Sequence, residues 1–101
     1  MQRSDAEQDD QSIADAAKNF NRLEHVLLQN RTLTLFGEIN QDVARRMAEK
    51  LLALAFESDD PITLYIGSPG GHVESGDTIF DLIRYIKPEV RIIGTGWVGS
   101  I

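Results

Sequence analysis

Leu64-Tyr65-Ile66-Gly67-Ser68-Pro69-Gly70-Gly71 decides how the rest of the chain is read. Its apolar start predicts a strand over Ile62–Ile66, which runs into Gly-Ser-Pro-Gly-Gly, and an amphipathic helical pattern follows at once. Pro69 fixes its own φ and holds Ser68 extended, because the proline ring clashes with a helical residue before it. Gly70 and Gly71 carry no Cβ, so another backbone or a ligand can come close. Backbone N–H groups left free at a strand end, beside a helix N-terminus, can hold developing negative charge. The same residues also suit a plain strand-to-helix turn without chemistry, since Gly and Pro are the commonest turn formers.

Working outward, the pattern alternates. Upstream, Arg31 to Phe36 alternates Thr and Leu and predicts a strand. Gly37 to Asn40 reads as a turn, with Asn40 or Asp42 capping a helix that runs to Phe56 and carries Val43, Met47, Leu51 and Leu54 on one face. Ser58-Asp59-Asp60-Pro61 stops it. Downstream, the spacing predicts a helix over Ser75–Ile86 with Ile79, Ile83 and Ile86 on its buried stripe. Lys87-Pro88 ends that helix, and Val90 to Gly94 is a short apolar strand. A first helix is expected from Ser12, with Asp15 completing a weak capping box. It places Ile13, Ala16, Ala17, Phe20, Leu23 and Leu27 on one face. Residues 1–11 read as a flexible acidic tail. Strands alternating with helices of this length predict an α/β fold with a mainly parallel sheet and crossover helices. No stop signal precedes Ile101, and the apolar, Gly-rich end suits the middle of a domain. Residues 12–101 are therefore expected to be the N-terminal portion of a single domain.

The bulk properties narrow the function. A chain of 101 residues holds one modest domain. Its 42% hydrophobic content is that of a globular protein, and its net charge of −6 divides evenly between residues 1–30 and the remainder. An acidic balance without a Lys/Arg cluster argues against nucleic acid as the main partner. With no cysteine, disulfides and thiolate zinc sites are ruled out. The longest apolar run, Leu51 to Phe56, is too short to span a membrane, and the polar, acidic start lacks the apolar core of a signal peptide. A cytoplasmic protein without membrane association is expected.

Several residue patterns carry potential chemistry. Gly94-Thr95-Gly96-Trp97-Val98-Gly99 matches the Gly-x-Gly-x-x-Gly of dinucleotide sites. However, it follows the last strand of the series, Trp97 adds bulk where a pyrophosphate must pass, and the position about 20 residues later, where an acidic residue is expected, lies past Ile101. Ser100 lies just past that strand, where it is either a helix N-cap or a hydroxyl presented at the sheet edge. In a parallel sheet the C-terminal ends of Ile62–Ile66 and Val90–Gly94 lie on the same side, where ligands collect, which brings Gly70 and Gly71 toward Ser100. Glu74, Asp77 and Asp81 stand at metal-ligand spacing on one helix but read better as a solvated face with acid near the positive helix end. His72 is read as a surface or substrate-lining residue, with a general-base role left open, and His25 as half-exposed on the first helix.

Taken together, Tyr-Ile-Gly-Ser-Pro-Gly-Gly (residues 65–71), the helix ending Tyr-Ile-Lys-Pro (residues 85–88) and Val-Arg-Ile-Ile-Gly-Thr-Gly-Trp-Val-Gly-Ser (residues 90–100) resemble the proteolytic subunit of the Clp ATP-dependent protease. The likeness runs from about Leu27 to Ile101. Ser-Pro-Gly-Gly followed by a Gly-x-x-x-Ser turn is far more specific than either piece. The resemblance implies a crotonase-like α/β fold, a homo-oligomer of two stacked heptameric rings enclosing a proteolytic chamber, and a hexameric AAA+ unfoldase that feeds it unfolded polypeptides. It also implies residue roles. Ser100 matches the nucleophile, and the backbone N–H groups of Gly71 and Ile101 match the oxyanion hole. Gly70, His72 and Val73 lie along the edge that pairs with an extended substrate. Tyr65 and Tyr85 match the apolar surface where the unfoldase docks. No metal or other cofactor is implied, since the partner consumes the ATP.

The departures from the family pattern are specific. Gly96-Trp97-Val98-Gly99-Ser100 stands where Gly-Gln-Ala-Ala-Ser is commoner, His72 replaces an aliphatic residue, and Thr63 stands where many members carry an aromatic. The N-terminal segment lacks the usual short apolar stretch of the axial loop. The family's catalytic His and Asp belong beyond Ile101, so residues 1–101 alone are expected to be inactive. Two other readings share these features: a non-catalytic structural or regulatory subunit of a Clp-like ring, and a crotonase-type acyl-CoA enzyme.

Overall fold

The computed structural model of the chain describes residues 5–68, 71 and 73–96. They divide between Asn30 and Arg31 into two compact units. The first is a single helix, α1 (Asp5–Gln29). It begins seven residues before Ser12, where the sequence reading starts it. Ala6, Glu7 and Gln8 are good helix formers, and Asp9 and Asp10 favour the positive N-terminal end, so the helix propagates without an apolar stripe in its first turns. Gln11 donates to Asp15 one turn on at 3.0 Å. Asn30 closes the other end: its side-chain amide donates to the Val26 carbonyl at 2.8 Å and its backbone N–H to the Leu27 carbonyl at 3.1 Å. The expected stripe is present, but Ile13, Phe20 and Leu23 are all about two-thirds exposed.

The second unit is an α/β layer of β1 (Thr32–Phe36), α2 (Gln41–Glu57), β2 (Ile62–Gly67), α3 (Val73–Tyr85) and β3 (Val90–Gly94). The sheet is parallel throughout, in the order β1-β2-β3. Register sets Leu33 opposite Leu64, Leu35 opposite Ile66, and Leu64 opposite Ile92. Alternation therefore puts Leu33, Leu35, Ile62, Leu64 and Ile66 on one face, and all five are buried. The helices that cross between successive strands pack on each other, so both cover this face. From α2 come Ala44, Met47, Leu51 and Leu54, and from α3 comes Ile79. Each large apolar side chain buried here contributes about 1.5–3 kcal/mol relative to exposure. Val43, read as part of the buried face, is only half-buried, and Ala44 takes its place. Similarly, Ile83 and Ile86 are half-buried where Ile79 is fully enclosed. The other sheet face shows Phe36, Tyr65 and Ile93, all exposed.

Asn40 caps α2, its side-chain oxygen accepting from the Val43 N–H at 2.9 Å, as expected of that residue type. The other end of α2 is held from a distance. Arg31 sits at φ 50°, a region that a non-glycine residue rarely occupies. From there its guanidinium donates to the Leu54 carbonyl at 3.0 Å, to Ser58 at 2.9 Å, and to Asp60 at 2.9 and 3.1 Å. One side chain thus ties together the carbonyls of Leu54 in the last turn, of the C-cap Ser58 and of Asp60 beyond it, adding to the Ser58 N–H bond that Leu54 already accepts at 3.3 Å.

Candidate active site

Because the sheet is parallel, the C-terminal ends of all three strands meet at one edge. The Gly37 N–H, just past β1, donates to the Gly67 carbonyl at 3.3 Å. Thr95, just past β3, donates its N–H to the Ile66 carbonyl at 2.8 Å and its hydroxyl to the same oxygen at 3.3 Å. A Cβ on Gly67 would lie 2.5 Å from the exposed Phe36 ring and 3.0 Å from the Thr95 hydroxyl, so a side chain there would have to displace these neighbours. Ser68 follows and is completely buried.

Gly71 is the residue of the quoted stretch that the geometry singles out. Its φ is +150°, outside the range that side-chain-bearing residues favour. It forms an isolated parallel bridge with Ile39 of the β1–α2 connection. A Cβ on Gly71 would run into the Ile39 backbone, with the Ile39 nitrogen 2.7 Å away. The missing Cβ is thus what allows the two backbones to meet. An open cleft of about 670 Å³ lies alongside, lined by Glu38, Ile39, Asn40, Gln41, Asp42 and Gly71. Asp42 pairs with Arg45 at 3.1 Å and Arg46 at 3.0 Å. All three side chains are largely exposed, so these pairs add little to stability.

Of the residues assigned roles from sequence, Gly71 lies at this edge and Val73 is the first residue of α3. The helix therefore starts two residues earlier than the pattern predicted. Gly70, His72, Ser100 and Ile101 lie outside the described residues, as does Trp97. Tyr65 projects from the open sheet face, and Tyr85, the last residue of α3, is 85% exposed. Glu74, Asp77 and Asp81 are exposed on α3, and no three metal-ligating side chains gather among the described residues. His25 lies on α1, exposed. Ile39 escaped the sequence reading, which assigned it to a turn. The available signal was an isolated apolar residue between Glu38 and Asn40; in the structure it is 1% exposed.

The family model for Clp protease matches residues 14–101. This chain belongs to the Clp protease family. It is 53% identical over 74 residues to ATP-dependent Clp protease proteolytic subunit 3 of Rhizobium johnstonii, covering 73% of this chain and 38% of that one. It is 52% identical over 80 residues to proteolytic subunit 2 of Gluconobacter oxydans, covering 77% and 36%. Among solved structures, ClpP1 from Listeria monocytogenes aligns with TM-score 0.73 at 52% identity, over 77% of this chain and 46% of that one. The ClpP protease catalytic domain from Plasmodium falciparum aligns with TM-score 0.76 at 33% identity, over 78% and 43%. The α/β architecture expected from sequence is thus the Clp protease fold. The chain spans little more than a third of the length of these curated relatives. No helix among the described residues is long and apolar enough to cross a membrane.

Proposed function

We propose that this chain carries the nucleophile-bearing part of a Clp-type serine endopeptidase. In this reading the complete protein assembles into stacked heptameric rings and cuts unfolded polypeptides inside the chamber. An AAA+ unfoldase docks at Tyr65 and Tyr85, consumes the ATP and feeds the chain in. The observation that carries the reading is the backbone of Gly71: a glycine at φ +150°, set against Ile39 at the C-terminal edge of a parallel sheet, in a Clp protease family chain. Such a backbone suits an oxyanion donor, which must approach a substrate carbonyl without a side chain in the way.

The Ser100 hydroxyl attacks the scissile carbonyl carbon while a His, supplied by the part of the protein beyond residue 101, takes the hydroxyl proton. An Asp holds that His in the correct tautomer. Negative charge moves onto the carbonyl oxygen, where the N–H groups of Gly71 and Ile101 receive it. The tetrahedral intermediate collapses, the protonated His gives its proton to the leaving amine, and water then clears the acyl-enzyme by the same route. Gly70, His72 and Val73 line the extended substrate, whose backbone pairs with this edge. The chemistry needs no metal or other cofactor, and the working compartment is the cytoplasm.

The test uses the full-length protein. Expected are a ring-sized species in sedimentation and hydrolysis of a fluorogenic peptide that Ser100→Ala abolishes. An assembled ring without hydrolysis points to a structural subunit, and coenzyme A binding without hydrolysis to a crotonase-type enzyme. Either outcome overturns the proposal.

A further inference from the structure

Gly71 cannot hold its own conformation. Without a Cβ it has access to most of backbone space, so a φ of +150° persists only if something outside the residue holds it. The contact that does so is the backbone of Ile39. Ile39 is itself fixed from both sides. Before it, Gly37 is tied to the Gly67 carbonyl at 3.3 Å. After it, the Asn40 side chain accepts from Val43 at 2.9 Å and the Asn40 carbonyl accepts from Ala44 at 2.9 Å, anchoring the connection to the first turn of α2. The Ile39 side chain is 1% exposed, so packing holds the residue as well. The β1–α2 connection thus touches the last residue of β2 at Gly67 and the β2–α3 connection at Gly71.

We infer that Ile39 is a positioning residue for the peptidase reaction: its buried side chain and its bridge to Gly71 hold the Gly71 backbone in the orientation that receives the oxyanion. The inference rests on the peptidase reading above. Loss of this hold leaves substrate binding largely intact and lowers the fraction of time the donor is aligned. The cost therefore falls on the chemical step, where small misplacements of a preorganised donor are expensive.

The test is steady-state hydrolysis of a fluorogenic peptide by full-length Ile39→Ala, Ile39→Val and Glu38→Gly, with thermal unfolding and sedimentation run in parallel. Ile39→Ala is expected to lower kcat by about tenfold or more with little change in KM, since alignment rather than affinity is lost. Ile39→Val, which retains a buried branched side chain, should restore most of kcat. Glu38 is exposed, so Glu38→Gly loosens the connection without touching the core. It should lower kcat by roughly twofold to fivefold with the same split, and it decides the question if Ile39→Ala does not fold. Folded, assembled variants with wild-type kcat overturn the inference, as does a loss shared equally by Ile39→Val. A wild-type protein that hydrolyses nothing overturns the peptidase reading itself, so the two failures are distinguishable.

Discussion

Gly71 and Ile39 meet backbone to backbone, and the space a Gly71 side chain would need is filled by Ile39 main-chain atoms, the nitrogen at 2.7 Å. Gly71→Ala in the full-length protein therefore faces two obstacles, a φ that Ala resists and a main chain that cannot step aside. Peptide hydrolysis is expected to fall by about a hundredfold or more, as when an oxyanion donor is lost. Thermal unfolding should show a destabilisation of about 1–3 kcal/mol, the usual cost of a strained backbone site. Near-normal hydrolysis of a short peptide would remove Gly71 from the mechanism.

Arg31 joins the start of β1 to the end of α2 through hydrogen bonds to three carbonyls. Arg31→Met keeps much of the aliphatic stem and deletes the donors. It should cost about 2 kcal/mol in urea unfolding, since bonds from a charged group exceed the ordinary value and those to Leu54 and Ser58 are part-buried. Arg31→Lys should recover little, because an ammonium cannot reproduce the planar fork that reaches Leu54, Ser58 and Asp60 together. Full recovery by Lys would show that charge alone matters at this corner.

Residues 1–101 expressed by themselves should lack peptidase activity and unfold with poor cooperativity. A serine hydroxyl without a base is a weak nucleophile, and His25 lies exposed on α1. The sheet of this segment also leaves Ile92 and Ile93 of β3 exposed at 47% and 42%, an edge that favours association over folding. Comparing this segment with the full-length protein, by fluorogenic peptide cleavage and thermal unfolding, checks both points. An active, cooperatively folded segment would make His72 the base.

The strand and helix alternation was legible because each element here carries its own period. Leu33 and Leu35 alternate with threonines, and Met47, Leu51 and Leu54 repeat at helical spacing. The bounds of β3 and the Asn40 cap also agree with the local pattern. Local pattern failed where no period exists. The first turns of α1, from Asp5, carry no apolar stripe and rest on helix propensity and acid near the positive end. The candidate site was legible as a Gly-rich strand end, but the contact between Gly71 and Ile39 was not. Ile39 and Gly71 come from two different connections, and an isolated bridge leaves no repeating trace in sequence. Arg31 is similar: its partners lie 23 to 29 residues away, and nothing near it announces a helix cap.

In the proposed peptidase Ser100 is the nucleophile and the oxyanion rests on Gly71. Treating the full-length protein with a fluorophosphonate probe and locating the adduct by mass spectrometry tests both roles at once. A single modified residue, Ser100, is expected, with labelling abolished by Ser100→Ala and strongly slowed by Gly71→Ala. A properly assembled protein that takes up no probe, or that carries it on any other residue, would contradict it.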